Sequence, residues 1–336
     1  MTRVPVLEIG GTHVTAALVD MTSRSPVTGS VVRRPVSADA GAEEILDSFA
    51  DAARHLAAPA RACWGVAVPG PFDYAAGIGR FRGIGKFEAL HDVDVGAELR
   101  DRLPHPRAIS FLNDADAFAI GEHHSGDTTK RGRSVCVTLG TGVGSSFLRD
   151  GHPVTEGLAV PPGGRVHRIS VDGLPLEEVI SRRAIRARYA RAAGLDRRAE
   201  TPDVSAIAAL ARRADPHAEA TISGCFTTLG RALAPWCAAF RPDVMVVGGS
   251  MTASWDLIGP ALRAGLTTGA EAAGPGAGDI VAAMDLRTAR RPDDAPLIGA
   301  AYWALGRRTE GDPAGPGPLA AGEMPFAAPR AGHSLQ

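Results

Sequence analysis

Apolar and polar positions along this chain switch between a period of two and a period near 3.6, and each switch marks an element. Residues 5–9 read as a strand, Gly10-Gly11-Thr12 as a turn, and 13–19, polar early and apolar later, as the returning strand of a hairpin. A third strand near 29–35 extends that sheet. The spacing of Ile45, Leu46, Phe49, Ala53 and Leu56 predicts a helix over 42–57. Residues 62–68 form the next strand, closed by the rigid turn Pro69-Gly70-Pro71. Residues 72–87 are glycine-rich and irregular, as in a substrate loop, and 95–103 form a short helix.

The same alternation continues downstream. The apolar run 108–112 ends in Asn113-Asp114, a helix starts over 115–123, and a polar connection spans 124–133. Residues 135–139 are apolar and β-branched, a buried strand that enters Gly140-Thr141-Gly142-Val143-Gly144. A second β-rich passage is expected over 145–171, interrupted by glycines and prolines. Helices follow over 176–193, 204–213 and 217–239, the last with a kink expected at Pro235. Residues 243–247 are a buried strand ending in Gly248-Gly249-Ser250. A helix over 255–265, a strand over 280–283 and an apolar helix over 297–307 complete the pattern. From 309 to 336 Pro, Gly and Ala dominate without periodicity, which reads as a disordered tail.

Two halves thus open alike, at 7–19 and 135–149, each with a strand, a Gly/Thr turn and a returning strand. Glycine turns leave successive N–H groups free to face an anion. Asn113-Asp114 places a carboxylate and an amide at a strand's C-terminal end, where open α/β sheets bind ligands. A phosphate cradle beside a carboxylate suggests phosphoryl transfer. The duplicated pattern resembles the α/β actin-like (ribonuclease H-like) ATPase fold, with two domains around a central cleft. The expected division is 1–114, completed by helix 297–307, and 115–296, carrying dimerisation helices.

Composition narrows the partners. With 336 residues the chain can bury the core of two domains, and 36 basic against 37 acidic residues argue against a nucleic-acid partner. Lys86 and Lys130 are the only lysines, so Arg carries nearly all positive charge. Cys63, Cys136, Cys225 and Cys237 lack the paired spacing of a zinc or redox motif and read as small core residues. Trp64, Trp236, Trp255 and Trp303 also read as core. His123 and His124 are adjacent on a helix and so point apart. No N-terminal signal is present and no apolar run reaches the roughly 20 residues of a membrane span. The picture is a soluble, cytoplasmic, enzyme-sized protein.

At this point the residues resemble the ROK family of repressors, uncharacterised open reading frames and sugar kinases. Glu8-Ile9-Gly10-Gly11-Thr12 is similar to its D-x-G-G-T phosphate motif, and Val66-Ala67-Val68-Pro69-Gly70-Pro71 to its G-x-P-G-P-V turn. Asn113-Asp114-Ala115-Asp116-Ala117 with Gly121-Glu122 resembles N-D-A-N-A…G-E, and 139–144 the second phosphate motif. Val246 to Ser250 resembles the V-x-G-G-S/G turn at the adenosine, and Ile298-Gly299-Ala300-Ala301 the closing G-A-A helix.

The resemblance implies an ATP- and Mg²⁺-dependent hexose kinase acting as a homodimer, with sugar and ATP as its small-molecule partners. Asp114 would be the base for the sugar hydroxyl, since phosphoryl transfer relies chiefly on alignment and charge stabilisation. Gly70, Asn113, His167 and Glu177 would hold the sugar. Gly10, Gly11, Thr12, Gly140, Thr141, Gly142 and Gly144 would surround the phosphates, and Gly248, Gly249 and Ser250 would lie under the nucleoside. Bland readings stay open beside these: Asp114 as a helix N-cap, His167 as a loop histidine, Glu177 as an acid at a helix start.

The chain also departs from the family pattern. Glu8 replaces the usual Asp, a carboxylate expected to organise Mg²⁺ indirectly. The zinc loop of cysteines is missing between His167 and Glu177, which predicts no zinc site. Gly164 stands where the Glu of G-E-x-G-H is usual, and the Asn-containing sugar loop reads Gly83-Ile84-Gly85-Lys86-Phe87. These sugar-side changes point to a modified hexose, such as the amino sugar kanosamine (3-amino-3-deoxyglucose), in place of plain glucose. A catalytically silent sugar-binding regulator is the alternative. A repressor would need a helix-turn-helix ahead of the first strand, and only Met1 to Val4 precede it.

Overall fold

The computed structural model describes residues 2–125, 131–196 and 200–306, so the expected tail lies outside the described residues. Its first sheet is built from β1 (Arg3–Ile9), β2 (His13–Asp20), β3 (Ser25–Pro26), β4 (Val32–Pro35), β5 (Cys63–Val68) and β8 (Ala108–Asn113). The order is β3-β2-β1-β5-β8, with β4 also on β2. Strands β1 and β2 pair antiparallel from Arg3 with Asp20 to Ile9 with Val14, which leaves Gly10-Gly11-Thr12 as the turn. Strands β1, β5 and β8 run parallel. Their C-terminal ends, carrying the 10–12 turn, Gly70 and Asn113-Asp114, therefore share one edge. All six residues of β5 are buried, as a strand covered on both faces requires.

The second sheet repeats the plan. Its strands are β9 (Arg133–Leu139), β10 (Val143–Arg149), β11 (His152–Pro153), β14 (Val244–Gly248) and β15 (Asp285–Thr288), in the order β11-β10-β9-β14-β15. A hairpin again opens it, and β14 runs parallel to β9, bringing 140–142 and 248–249 to one edge.

Helices α3 (Asp114–Ser125) and α10 (Ala295–Gly306) lie between the sheets. Their core contains Val4, Val6 and Ala67 of the first sheet together with Cys136, Val244 and Val246 of the second. The helices cross at glycines: a Cβ on Gly299 would lie 1.8 Å from the Ala117 carbonyl oxygen, and one on Gly121 1.8 Å from that of Ala295. The outer face of the first sheet packs on α1 (Ala42–Arg54), α2 (Val95–Arg102) and Phe72, Phe81 and Phe87. That of the second carries α4 (Glu177–Ile180), α5 (Arg182–Ala192), α6 (Val204–Ala211), α7 (Pro216–Phe240), α8 (Trp255–Ala273) and α9 (Ala277–Ala283).

Several expectations are corrected. The apolar run expected as a strand over 280–283 is the end of α9, and the strand is β15, paired in parallel with β14. A short Ala-rich apolar run fits both periods, so pairing decides. The passage 145–171 is β-rich only through β10 and β11. Beyond them Gly and Pro impose tight 3-10 turns at Pro162–Gly164 and Val166–Arg168, before a small hairpin of β12 (Ser170–Val171) and β13 (Leu174–Pro175). The single helix over 176–193 breaks at Ser181, whose hydroxyl caps α5 by accepting from the Ala184 N–H (3.4 Å). Helix α7 carries Pro235 within its span, and α8 continues past Gly265 to Ala273. Within 72–87 the chain forms a small hairpin, β6 (Phe72–Asp73) with β7 (Ile78–Gly79). Of the four tryptophans only Trp64 is fully buried; the other three are half-buried at the margins of the core. All four cysteines are buried and free. His124 stacks flat on Tyr302 at 3.6 Å, and burial pulls it down to about 4. Among the described residues no helix is long and apolar enough to cross a membrane.

The crossing of α3 and α10 makes a direct expectation. Gly299→Ala should cost about 3 kcal/mol, because backbone has to move to admit the methyl group. Gly278→Ala, with nothing within 4 Å of its Cβ position, should not destabilise. Thermal melts of the two variants against the parent check this, and equal midpoints would refute the crossing.

Candidate active site

Strand β8 passes into α3 without a loop, so Asn113 and Asp114 stand at the junction. The side-chain oxygens of Asn113 (3.0 Å) and Asp114 (2.9 Å) both accept from the Ala115 N–H, so both side chains lie at the helix entrance. The Asn113 amide donates to the Tyr74 hydroxyl (3.0 Å), which donates to the Val68 carbonyl (3.3 Å). Gly70 lies in this patch; a Cβ there would be 3.3 Å from the Tyr74 hydroxyl. Burial pushes the Tyr74 hydroxyl well above its usual range.

Asp114 is the electrostatic centre. Burial raises its carboxyl above the usual range, against the opposing pull of Lys86, the Ala115 N–H and Arg165. Glu8, on β1, is pushed up to about 7, first by burial and then by the charge of Asp114, with Arg33 opposing. His167 is pulled below its ordinary value by burial, while Glu177 opposes that shift. The sequence-selected Glu8, Asp114, His167 and Glu177 thus form one linked electrostatic group.

The glycine turns sit around it. In the first, the Gly10 N–H closes the hairpin on the His13 carbonyl (2.8 Å), and Gly11 and Thr12 are exposed. In the second, the Gly140 N–H turns back onto the Gly142 carbonyl (3.1 Å). Glu177, the first residue of α4, accepts from the Val143 N–H (3.3 Å). A Cβ on Gly142 would come within 2.4 Å of that carboxylate oxygen. Glu177 therefore rests on the second turn as well as facing His167. Gly144 is a packing position, its α-carbon facing Thr138 and Ala115, and Gly248 likewise faces the Phe118 ring. Gly249 (φ +88°) needs its missing side chain, since a Cβ would lie 2.3 Å from the Leu139 carbonyl oxygen. That contact seats Gly249 and the exposed Ser250 against the second turn. A groove lined by Thr141, Arg182, Arg183, Arg186, Ala187 and Thr201 continues from it.

Five residues, Arg165, Asp116, Ser145, Tyr74 and Lys86, were not singled out as site residues by the sequence reading. Arg165 forms a bidentate ion pair with Asp116 (2.8 and 3.1 Å), with side chains only 17% and 12% exposed, and donates to the Ser145 carbonyl (2.9 Å). The Ser145 hydroxyl donates to the Gly164 carbonyl (2.6 Å) and accepts from the Val166 N–H (2.9 Å). This network sets the loop that presents His167. Tyr74 and Lys86 are the others. The available signals were an acid at 116 where the family motif reads Asn, a charge inside a Gly-rich turn at 165, and a lysine in an arginine chain.

Two sheets, each opened by a hairpin whose glycine turn faces the strand-end edge, define the actin-like (ribonuclease H-like) ATPase fold. The chain belongs to the ROK family, whose profile matches residues 5–307. The glucokinase of Thermotoga maritima is 27% identical over 277 residues, covering 76% of this chain and 84% of that protein. The ROK family glucokinase of Streptomyces griseus, solved with glucose and AMPPNP, superposes with a TM-score of 0.68 at 23% identity, covering 91% of this chain and 100% of the other. A ROK family transcriptional regulator, a homologue of the E. coli MLC protein, gives 0.72 at 20% identity, covering 90% of this chain and 78% of the regulator.

Because the folded state raises the Asp114 carboxyl, ionised Asp114 costs stability above its folded pKa and costs none below the ordinary carboxylate range. Asp114→Asn should therefore melt higher than the parent at about pH 8 without ligands, with the gap closing as pH falls toward about 4. Calorimetric melts across that range check it; a gap that does not change with pH would refute the assignment.

Proposed function

We propose that this chain is an ATP-dependent hexose kinase, with Asp114 as the base. The observation that carries the reading is a half-buried, raised carboxyl at a strand end, coupled electrostatically to Glu8 beside the first glycine turn and to His167. The sugar hydroxyl, the 6-OH in this reading, gives its proton to Asp114. Its oxygen bonds to the γ-phosphorus while the bond to the leaving diphosphate breaks. Asn113, fixed by Tyr74, and His167 and Glu177 orient the sugar hydroxyls. Gly11, Thr12, Thr141 and Gly142 offer N–H groups to the phosphates, with Gly248, Gly249 and Ser250 under the nucleoside.

Among the described residues no cluster of three His, Cys, Asp or Glu side chains suited to a metal occurs. Mg²⁺ commonly rides on substrate phosphates with one or two carboxylates, so Glu8, reaching it through water, fits that role. A cation nearby would oppose the burial and the Asp114 charge that together hold Glu8 up. When bound, Mg²⁺ neutralises phosphate charge.

The finer reading is an amino hexose such as kanosamine. Gly164 takes away a carboxylate from the sugar side, and Arg165 is tied to Asp116, so a sugar meets an altered pocket. Glu177, whose charge acts on His167, is the carboxylate left on that side to pair with an ammonium group. The silent sugar-binding regulator draws on Glu8 and Gly164, but gives no reason to keep an ionisable carboxyl buried at 114. Homodimer assembly and a cytoplasmic setting belong to the same proposal.

The test is ADP release with Mg²⁺ and ATP over glucose, mannose, glucosamine, kanosamine, N-acetylglucosamine and N-acetylmannosamine. Turnover on kanosamine above glucose is expected, with kcat falling roughly 10²–10⁴-fold in Asp114→Asn. The raised carboxyl should place the acid limb of kcat/KM above the ordinary Asp range, since the base works only when deprotonated. Sugar binding without any turnover would leave the regulator standing.

A further inference from the structure

The loop that replaces the family's asparagine-bearing sugar loop is held with unusual firmness. The Glu88 carboxylate accepts from three successive N–H groups, those of Gly83 (3.0 Å), Ile84 (2.7 Å) and Gly85 (2.9 Å). These bonds hold its carboxyl below the usual range. Gly83 and Gly85 have positive φ, and so does Phe87 (+55°), a conformation that bulky residues seldom adopt. The Phe87 N–H donates to the Ala38 carbonyl (2.8 Å), and its ring is fully buried edge-on to Phe49 (6.1 Å) and Phe81 (5.4 Å). Lys86 is thus fixed between a carboxylate clamp on one side and an aromatic anchor on the other.

Its side chain lies half-buried over the first turn, with Cδ 3.9 Å from where a Cβ on Gly11 would be. Its charge also gives the largest pull that opposes the burial of Asp114. No ion pair within 4 Å engages it among the described residues. A cation between the base and a phosphate turn, left without a bound carboxylate, has its donors free for an anion that arrives there. We propose that Lys86 is a further catalytic residue, whose ammonium group contacts the phosphoryl group passing from the 10–12 turn to the sugar oxygen at Asp114. This rests on the kinase reading and adds to it a group that neutralises charge in the transition state. The sugar proton goes to Asp114 and the electron pair of the broken P–O bond leaves with the diphosphate. A compact ammonium with three rotatable donors can follow a moving phosphoryl group, which a rigid guanidinium fork does less well.

The test compares Lys86→Met and Lys86→Arg with the parent, by calorimetric titration and by turnover. Lys86→Met should weaken binding of AMPPNP with Mg²⁺ about tenfold while ADP binding changes less than about twofold, because only the triphosphate carries the transferable group. Its kcat should fall roughly 10²–10³-fold with sugar KM unchanged, and Lys86→Arg should recover part of both losses. Equal weakening of AMPPNP and ADP, a loss confined to sugar KM, or unchanged kcat would overturn the proposal. If the parent turns over no sugar, the kinase reading falls by itself, and the AMPPNP against ADP comparison still decides whether Lys86 meets a terminal phosphate.

Discussion

The close crossing of α3 and α10 is the constraint from which the rest of the arrangement follows. Two helix backbones meet there because Gly121 and Gly299 carry no side chain, and that contact lets one apolar core touch both sheets. Helix α3 begins at Asp114, so the crossing also sets the depth at which the carboxylate stands between the sheets. The position of the Asp114 carboxyl is therefore a packing result before it is an electrostatic one.

Depth creates an electrostatic problem that the surrounding residues answer. Glu8, Asp114 and Asp116 are acids on adjoining strand and helix ends, in a setting that penalises charge. Arg165 and Lys86 oppose them from two loops that are each held rigid, one by the Ser145 network and the other by Glu88.

Much of this was legible from the chain. Hairpins, buried strands and the long helices follow from local periodicity, and Asp114 with its glycine turns stood out by spacing alone. What was not legible depends on pairing across sequence. The acid at 116 and the guanidinium at 165 meet over a separation of 49 residues, and Tyr74 meets Asn113 over 39. Nothing in either local window encodes the partner. The misread run at 280–283 has the same origin, because an apolar stretch of that length is assigned by the neighbour it finds. Ser181 is different: a serine ahead of a helical run was a readable cap, masked by the continuous pattern on either side.

The Arg165–Asp116 pair carries a consequence for how such a pocket can arise. Each member is enclosed enough that losing the other leaves a poorly solvated charge without its ion-pair partner, a penalty of about 3–5 kcal/mol for pairs of this kind. The two positions are then strongly epistatic. A lineage can gain or lose the arginine at little harm only alongside the matching change at 116, and a single step passes through a weakened intermediate. The ion pair is thus a two-residue feature, harder to reach by single substitutions than a one-residue change and correspondingly harder to undo.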